Sequence, residues 1–225
     1  MSFWILFIGL SILSYIVSAG FQRRASKYSA MPASYNGAEI AQAMLEDNGI
    51  YDVKVVPTRG FLSDHYNPLN KTIALSEKVY YGRSLLSMAV AAHETGHAVQ
   101  HAQGFFWVKV RSSLVPVVNF ASNIGSWLLL AGMFTLHYFP QLMLAGIILF
   151  GLSVLFSFIT LPVEIDASRR ALDWLKTKGL TTGEDYYVAK DALKWAAYTY
   201  VMAALTALAS LLYYIILFLG ATSDD

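Results

Sequence analysis

Three stretches of the chain contain no Asp, Glu, Lys or Arg: residues 1–22, 112–163 and 195–223. A helix needs about 20 apolar residues to cross a bilayer, and runs that are apolar all round are not the surface helices of a soluble domain. The middle stretch is too long for one crossing and suits two. Its break falls at His137, Tyr138, Phe139 and Pro140, where polar and aromatic side chains meet a helix-breaking proline. The pattern therefore predicts four spans, at about 3–20, 114–136, 142–161 and 196–220.

Between the first two spans the pattern changes to that of a soluble fold. Residues 38–47 place Ile40, Ala43 and Met44 at helical spacing and end at Asn48-Gly49, a plausible C-cap. Residues 51–56 alternate with β-branched valines before Pro57 and predict a strand. Residues 71–75 predict a second strand, with 60–68 between them as a loop. From Ser84 to about Gln103 the pattern is helical, with Gly96 as its one breaker. No internal repeat or low-complexity segment is present.

Composition agrees with the membrane reading. Of 225 residues, 56% are hydrophobic and 14% charged, against about 25% charged in soluble chains. The net charge of +1 comes with no basic tail or lysine cluster, so nucleic acid is not an expected partner. The absence of cysteine excludes disulfides, thiolate catalysis and Cys-ligated zinc.

The 16 basic residues fix an expected orientation. Ten lie between Arg23 and Arg111 and six between Arg169 and Lys194. With four spans these two segments share one side, and the opposite side carries only Asp224 and Asp225. The positive-inside rule puts segments 21–111 and 162–195 in the cytoplasm and both termini outside. Val17-Ser18-Ala19 would pass as a signal cleavage site, but Arg23 and Arg24 follow the apolar run and no basic residue precedes it. That polarity favours a retained anchor.

The chemistry is concentrated in His93-Glu94-Thr95-Gly96-His97, an H-E-x-x-H inside the predicted helix at 84–103. Residues four apart share a helix face, so both imidazoles can converge on one zinc ion. Glu94 then lies beside the ion, where a carboxylate can deprotonate zinc-bound water. A chance motif on an amphipathic helix is the plain alternative. The flanking Ala89, Val90, Ala91, Ala98 and Val99 supply the helical context the zinc reading needs.

A catalytic zinc takes three protein ligands and keeps a position open. His101 is four residues further on, but His93 and His101 are separated by about 12 Å of helix rise, against a zinc–ligand distance of about 2 Å. It also misses the third metzincin position, ten residues after the first histidine. His137 falls in the turn on the opposite side. His65 and Glu164 remain, and the residues alone do not choose between them. Glu164 follows the third span, where Pro162 is suited to open a new helix; a carboxylate there also suits a helix N-terminus.

Four segments in order carry a family resemblance: Asp64-His65-Tyr66-Asn67-Pro68, Ile73-Ala74-Leu75-Ser76, Ala91 to Gln100 with the zinc motif, and Leu161 to Ser168 with Glu164. The chain resembles the YugP-type membrane zinc metallopeptidases along nearly its whole length. These are similar in turn to the HtpX-type gluzincins, whose third ligand is a glutamate in an E-x-x-A-D-R segment. Residues 164–169 match at Glu164, Ala167 and Arg169, with Ser168 where the aspartate would be. The resemblance implies His93, His97 and Glu164 as ligands of one zinc per chain. The departure at 168 leaves Asp166 or Ser168 to orient a zinc histidine.

The expectation is a mainly α integral membrane protein of one metallopeptidase domain, 1–225. It has four transmembrane helices and a small α+β zincin-like cytoplasmic domain. It would reside in the plasma membrane and hydrolyse peptide bonds of protein substrates, some of them membrane proteins, with Glu94 as base. His65, Tyr66, Tyr80, Tyr81 and Arg169 are available to stabilise an oxyanion. Two other readings are a site-2-type intramembrane protease and a non-catalytic membrane scaffold with a structural metal. An intact Glu94 argues against the scaffold, because a structural site needs no base.

Overall fold

The structure, a computed structural model, describes residues 2–60 and 62–222. Its elements are α1 (Ser2–Ser29), α2 (Gly37–Asp47), β1 (Lys54–Thr58), β2 (His65–Asn67), β3 (Thr72–Ser76), α3 (Glu77–Tyr80), α4 (Leu85–Ala102), α5 (Phe106–Thr135), α6 (Pro140–Thr177) and α7 (Glu184–Thr222). The chain is mainly helical with one small sheet. Among the described residues, four helices, α1, α5, α6 and α7, are long and apolar enough to cross a membrane, the number the charge-free runs predict. Asp224 and Asp225, expected on the outer side, lie outside the described residues.

The helices run past their apolar stretches. The expectation that Pro162 opens a new helix is corrected, since Pro162 lies inside an unbroken α6. A proline removes one backbone donor, and a helix hydrogen-bonded on both sides can absorb that loss. Pro140 opens α6, where the missing N–H would be unpaired anyway.

The first strand is displaced from 51–56 to Lys54–Thr58 and includes Pro57. The sheet order β1-β3-β2 explains this, because β1 is an edge strand and an edge tolerates a residue without an N–H. The expected loop at 60–68 contains β2, three residues antiparallel to β3, with Tyr66 opposite Ile73. A strand that short is invisible to a period-two pattern.

The chain divides into two compact units. One comprises the chain up to Tyr15, Lys109–Leu161 and the chain from Thr199. Its core gathers Leu129, Leu136, Met143 and Ile147 with Phe150 and Tyr214. A Cβ at Gly132 would stand 2.5 Å from Met143 Cα, and one at Gly146 would stand 2.7 Å from Leu129 N. Bare backbone at these two positions lets α5 and α6 touch, as small residues do between membrane helices.

The other unit is Ile16–Val108 with Pro162–Tyr198. Ile40, Met44 and Leu45 of α2, Ile73 and Leu75 of β3, Met88 and Val99 of α4, and Leu175 of α6 share its core. Helix α2 opens on a capping box: Asn36 Oδ1 accepts from Glu39 N–H and Glu39 Oε2 accepts from Asn36 N–H, both at 2.9 Å. The Asp64 carboxylate accepts from Ser76 N–H at 2.7 Å and from its hydroxyl, tying the approach to β2 onto the end of β3. Arg24 pairs with Asp191 at 2.7 Å, and Tyr28 donates to the same carboxylate.

Candidate metal centre

Helix α4 starts where the Ser84 hydroxyl accepts from Ser87 N–H at 3.1 Å. Its Ala-rich sequence lets it run through the core with few side chains in the way, and Ala89, Ala91 and Ala92 are fully buried. His93 and His97 stand one turn apart with ring centroids 4.8 Å apart. Between them, Gly96 faces α6. A Cβ there would stand 2.7 Å from the Ala167 carbonyl oxygen. The missing side chain lets the two backbones close, and Glu164, one turn before Ala167, comes down onto the histidines.

Glu164 Oε2 lies 3.3 Å from His93 Nε2 and 3.6 Å from His97 Nε2. These distances are long for charge-assisted hydrogen bonds, which run about 2.7–2.9 Å. They match the roughly 3.3 Å between donors that each sit about 2.0–2.1 Å from a tetrahedral zinc. Among the described residues, His93, His97 and Glu164 form a group that could hold a metal ion, their donor atoms all within 4.8 Å of one another. The donor set suits zinc, two imidazoles and one carboxylate. Burial alone would pull the His97 pKa down. The adjoining Glu164 carboxylate, helped by Glu94 and Gln100, outweighs burial and holds it above the ordinary imidazole value.

Glu94 is 8% exposed beside His93. His65 is exposed on β2, its Nδ1 donating to the Ser63 carbonyl at 2.8 Å, and is not part of the group. His101 is not part of it either; its ring meets Tyr66 at 5.5 Å between centroids. Of the other residues available to an oxyanion, Tyr80 and Tyr81 pack edge to face at 4.7 Å, and Arg169 pairs with Asp166.

The two orienting candidates separate. The Ser168 hydroxyl lies 3.0 Å from His93 Nδ1, so the serine reaches the histidine directly. Asp166 reaches His97 only through a residue the sequence reading did not single out. Gln100 Oε1 lies 3.1 Å from His97 Nδ1, while its Nε2 donates to Asp166 Oδ2 at 2.9 Å. The signal was present in its position three residues after His97, a spacing that shares a helix face.

Four helices long and apolar enough to cross a membrane, with an H-E-x-x-H whose histidines meet a glutamate from a later helix in a group that could hold a metal, are the features of a class, the membrane metallopeptidases. The chain belongs to the family described as "Putative neutral zinc metallopeptidase", which it matches over residues 3–219. It is 42% identical to "Putative membrane protease YugP" of Bacillus subtilis (strain 168) over 226 residues, covering 98% of this chain and all of that protein. No solved structure matches it.

Proposed function

We propose that the protein is a membrane-embedded zinc endopeptidase with one zinc per chain, held by His93, His97 and Glu164, and with Glu94 as general base. The observation that carries this is the convergence of the three donors at a spacing an ion would fill. Bound there, zinc would act as a Lewis acid toward the scissile carbonyl and acidify water. Glu94 takes the proton from the attacking water and passes it to the leaving amine. Ser168 and Gln100 hold the imidazoles in place from behind. Burial of Glu94 and Glu164 in a low-dielectric setting strengthens each of these interactions.

The site would face the cytoplasm at the plasma membrane, with the sheet and α4 in a zincin-like arrangement and both termini outside. All basic residues fall in the two segments that contribute ligands, which supports that orientation. The motif helix α4 is not among the four span-length apolar helices, which favours this reading over a site-2-type protease. Substrates are protein segments near the bilayer.

The test compares cleavage of casein or a model peptide by purified wild type and by Glu94→Gln. The variant keeps the metal donors, so it should retain stoichiometric zinc and lose about 10²–10⁴-fold in rate. Equal cleavage by the two proteins would overturn the mechanism and return the scaffold reading.

A further inference from the structure

Gln100 is fully buried, and the two ends of its amide face different chemistry. Nε2 lies 2.8 Å from the Val163 carbonyl oxygen and 2.9 Å from Asp166 Oδ2. A backbone carbonyl and a carboxylate paired with Arg169 and Arg170 are both acceptors, so the NH2 end of the amide must sit there. That turns Oε1 toward His97 Nδ1 at 3.1 Å, and an amide oxygen can only accept. Nδ1 therefore carries the hydrogen, and the lone pair of the neutral ring lies on Nε2, the atom that faces Glu164. His93 is under no such constraint. Its Nδ1 meets the Ser168 hydroxyl, which can donate or accept.

We propose that Gln100 is a positioning residue that locks His97 in the Nδ1–H tautomer and at the same time fastens the turn of α6 that carries Glu164. The second role follows from the chain. Val163 and Asp166 bracket Glu164 on one helical turn, and both are held by the same Gln100 nitrogen. One buried amide thus sets two of the three metal donors and ties α4 to α6, whereas Ser168 serves a single histidine. The proposal rests on His97 Nε2 being a ligand, and a tautomer fixed before the metal arrives removes one ordering step from binding. Loss of an outer partner of this kind lowers metal affinity about 10–100-fold.

The tautomer is measured on metal-free, full-length wild type with ¹⁵N-labelled histidine, at a pH alkaline enough for a neutral ring, the His97 signal being assigned by its loss in His97→Gln. The expected pattern is a protonated Nδ1 and a bare Nε2, and an Nε2–H tautomer would overturn the proposal without any variant having to fold. Gln100→Leu, similar in size and without hydrogen bonds, should release the tautomer and weaken zinc binding by about 10–100-fold in chelator competition. Unchanged tautomer and unchanged zinc affinity in a folded Gln100→Leu would equally overturn it. The zinc stoichiometry of wild type tests the metal site separately, and cleavage by wild type against Glu94→Gln tests the peptidase reading.

Discussion

At the residue scale the group that could hold a metal is completed by a single carboxylate brought from a distant part of the chain. Glu164 is 3% exposed and stands between two imidazoles. Its replacement by alanine leaves a two-histidine site on one helix, and zinc affinity should fall by more than the roughly 10–100-fold that loss of an outer partner costs. His101→Ala should keep wild-type zinc content, since His101 packs on Tyr66 instead of joining the donors. Metal analysis of the two purified variants checks both. Stoichiometric zinc in Glu164→Ala, together with its loss in His65→Ala, would move the third ligand to His65. Ser168 is a second lesson at this scale. Ser168, which stands where the resemblance to the HtpX-type segment leads one to expect aspartate, reaches His93 Nδ1 because its hydroxyl sits one turn of α6 beyond Glu164.

At the element scale the decisive contact is between two helix backbones. Gly96 allows α4 to lie against α6 at Ala167, which is itself fully buried. Gly96→Ala would improve intrinsic helix propensity by up to about 1 kcal/mol. The added methyl meets a backbone carbonyl that cannot swing away, and overpacking of this kind costs about 1–3 kcal/mol. The net expectation is a lower melting temperature and weaker zinc binding, because the helices can separate only by withdrawing Glu164. Thermal unfolding and chelator competition on the detergent-solubilised variant measure the two effects. A Gly96→Ala protein with unchanged zinc affinity would show that α6 is held in register from elsewhere. Helix α4 is also capped at its start by Ser84, whose hydroxyl accepts from Ser87 N–H and satisfies one of the helix's free terminal donors.

For the whole molecule the metal chemistry and the span count constrain each other. His93 and Glu164 lie against each other and so share a compartment, and removing either of the two spans between them, α5 or the apolar part of α6, would separate them. The chain has no cysteine, so single cysteines can be placed freely. Asn70 and Thr182 are exposed in the two basic segments, and Tyr138 is exposed in the turn between α5 and α6. A membrane-impermeant thiol reagent on intact cells should label Tyr138→Cys and spare Asn70→Cys and Thr182→Cys. Labelling of both 70 and 182 would reverse the orientation. Labelling of only one would break the four-span arrangement and the shared site with it.

Some of this was fixed along the chain itself. Charge-free runs predict the number of span-length helices because a charged side chain is costly in hydrocarbon, and the four-residue spacing of His93 and His97 offers a candidate ligand pair because a helix repeats every 3.6 residues. Those are local or compositional properties, and so they are legible. The residues alone left the third ligand between His65 and Glu164, and the family resemblance favoured Glu164. Only the fold brings position 164 against 93, through a glycine contact that no periodicity encodes. The same holds for β2, too short to show a pattern, and for Pro162, whose helix is continued by the bonding on either side. Gln100 stands one turn from His97, and that spacing alone assigned it no role. Its partners on α6 are 63 and 66 residues away, and hydrogen bonds across that separation are decided by tertiary packing alone.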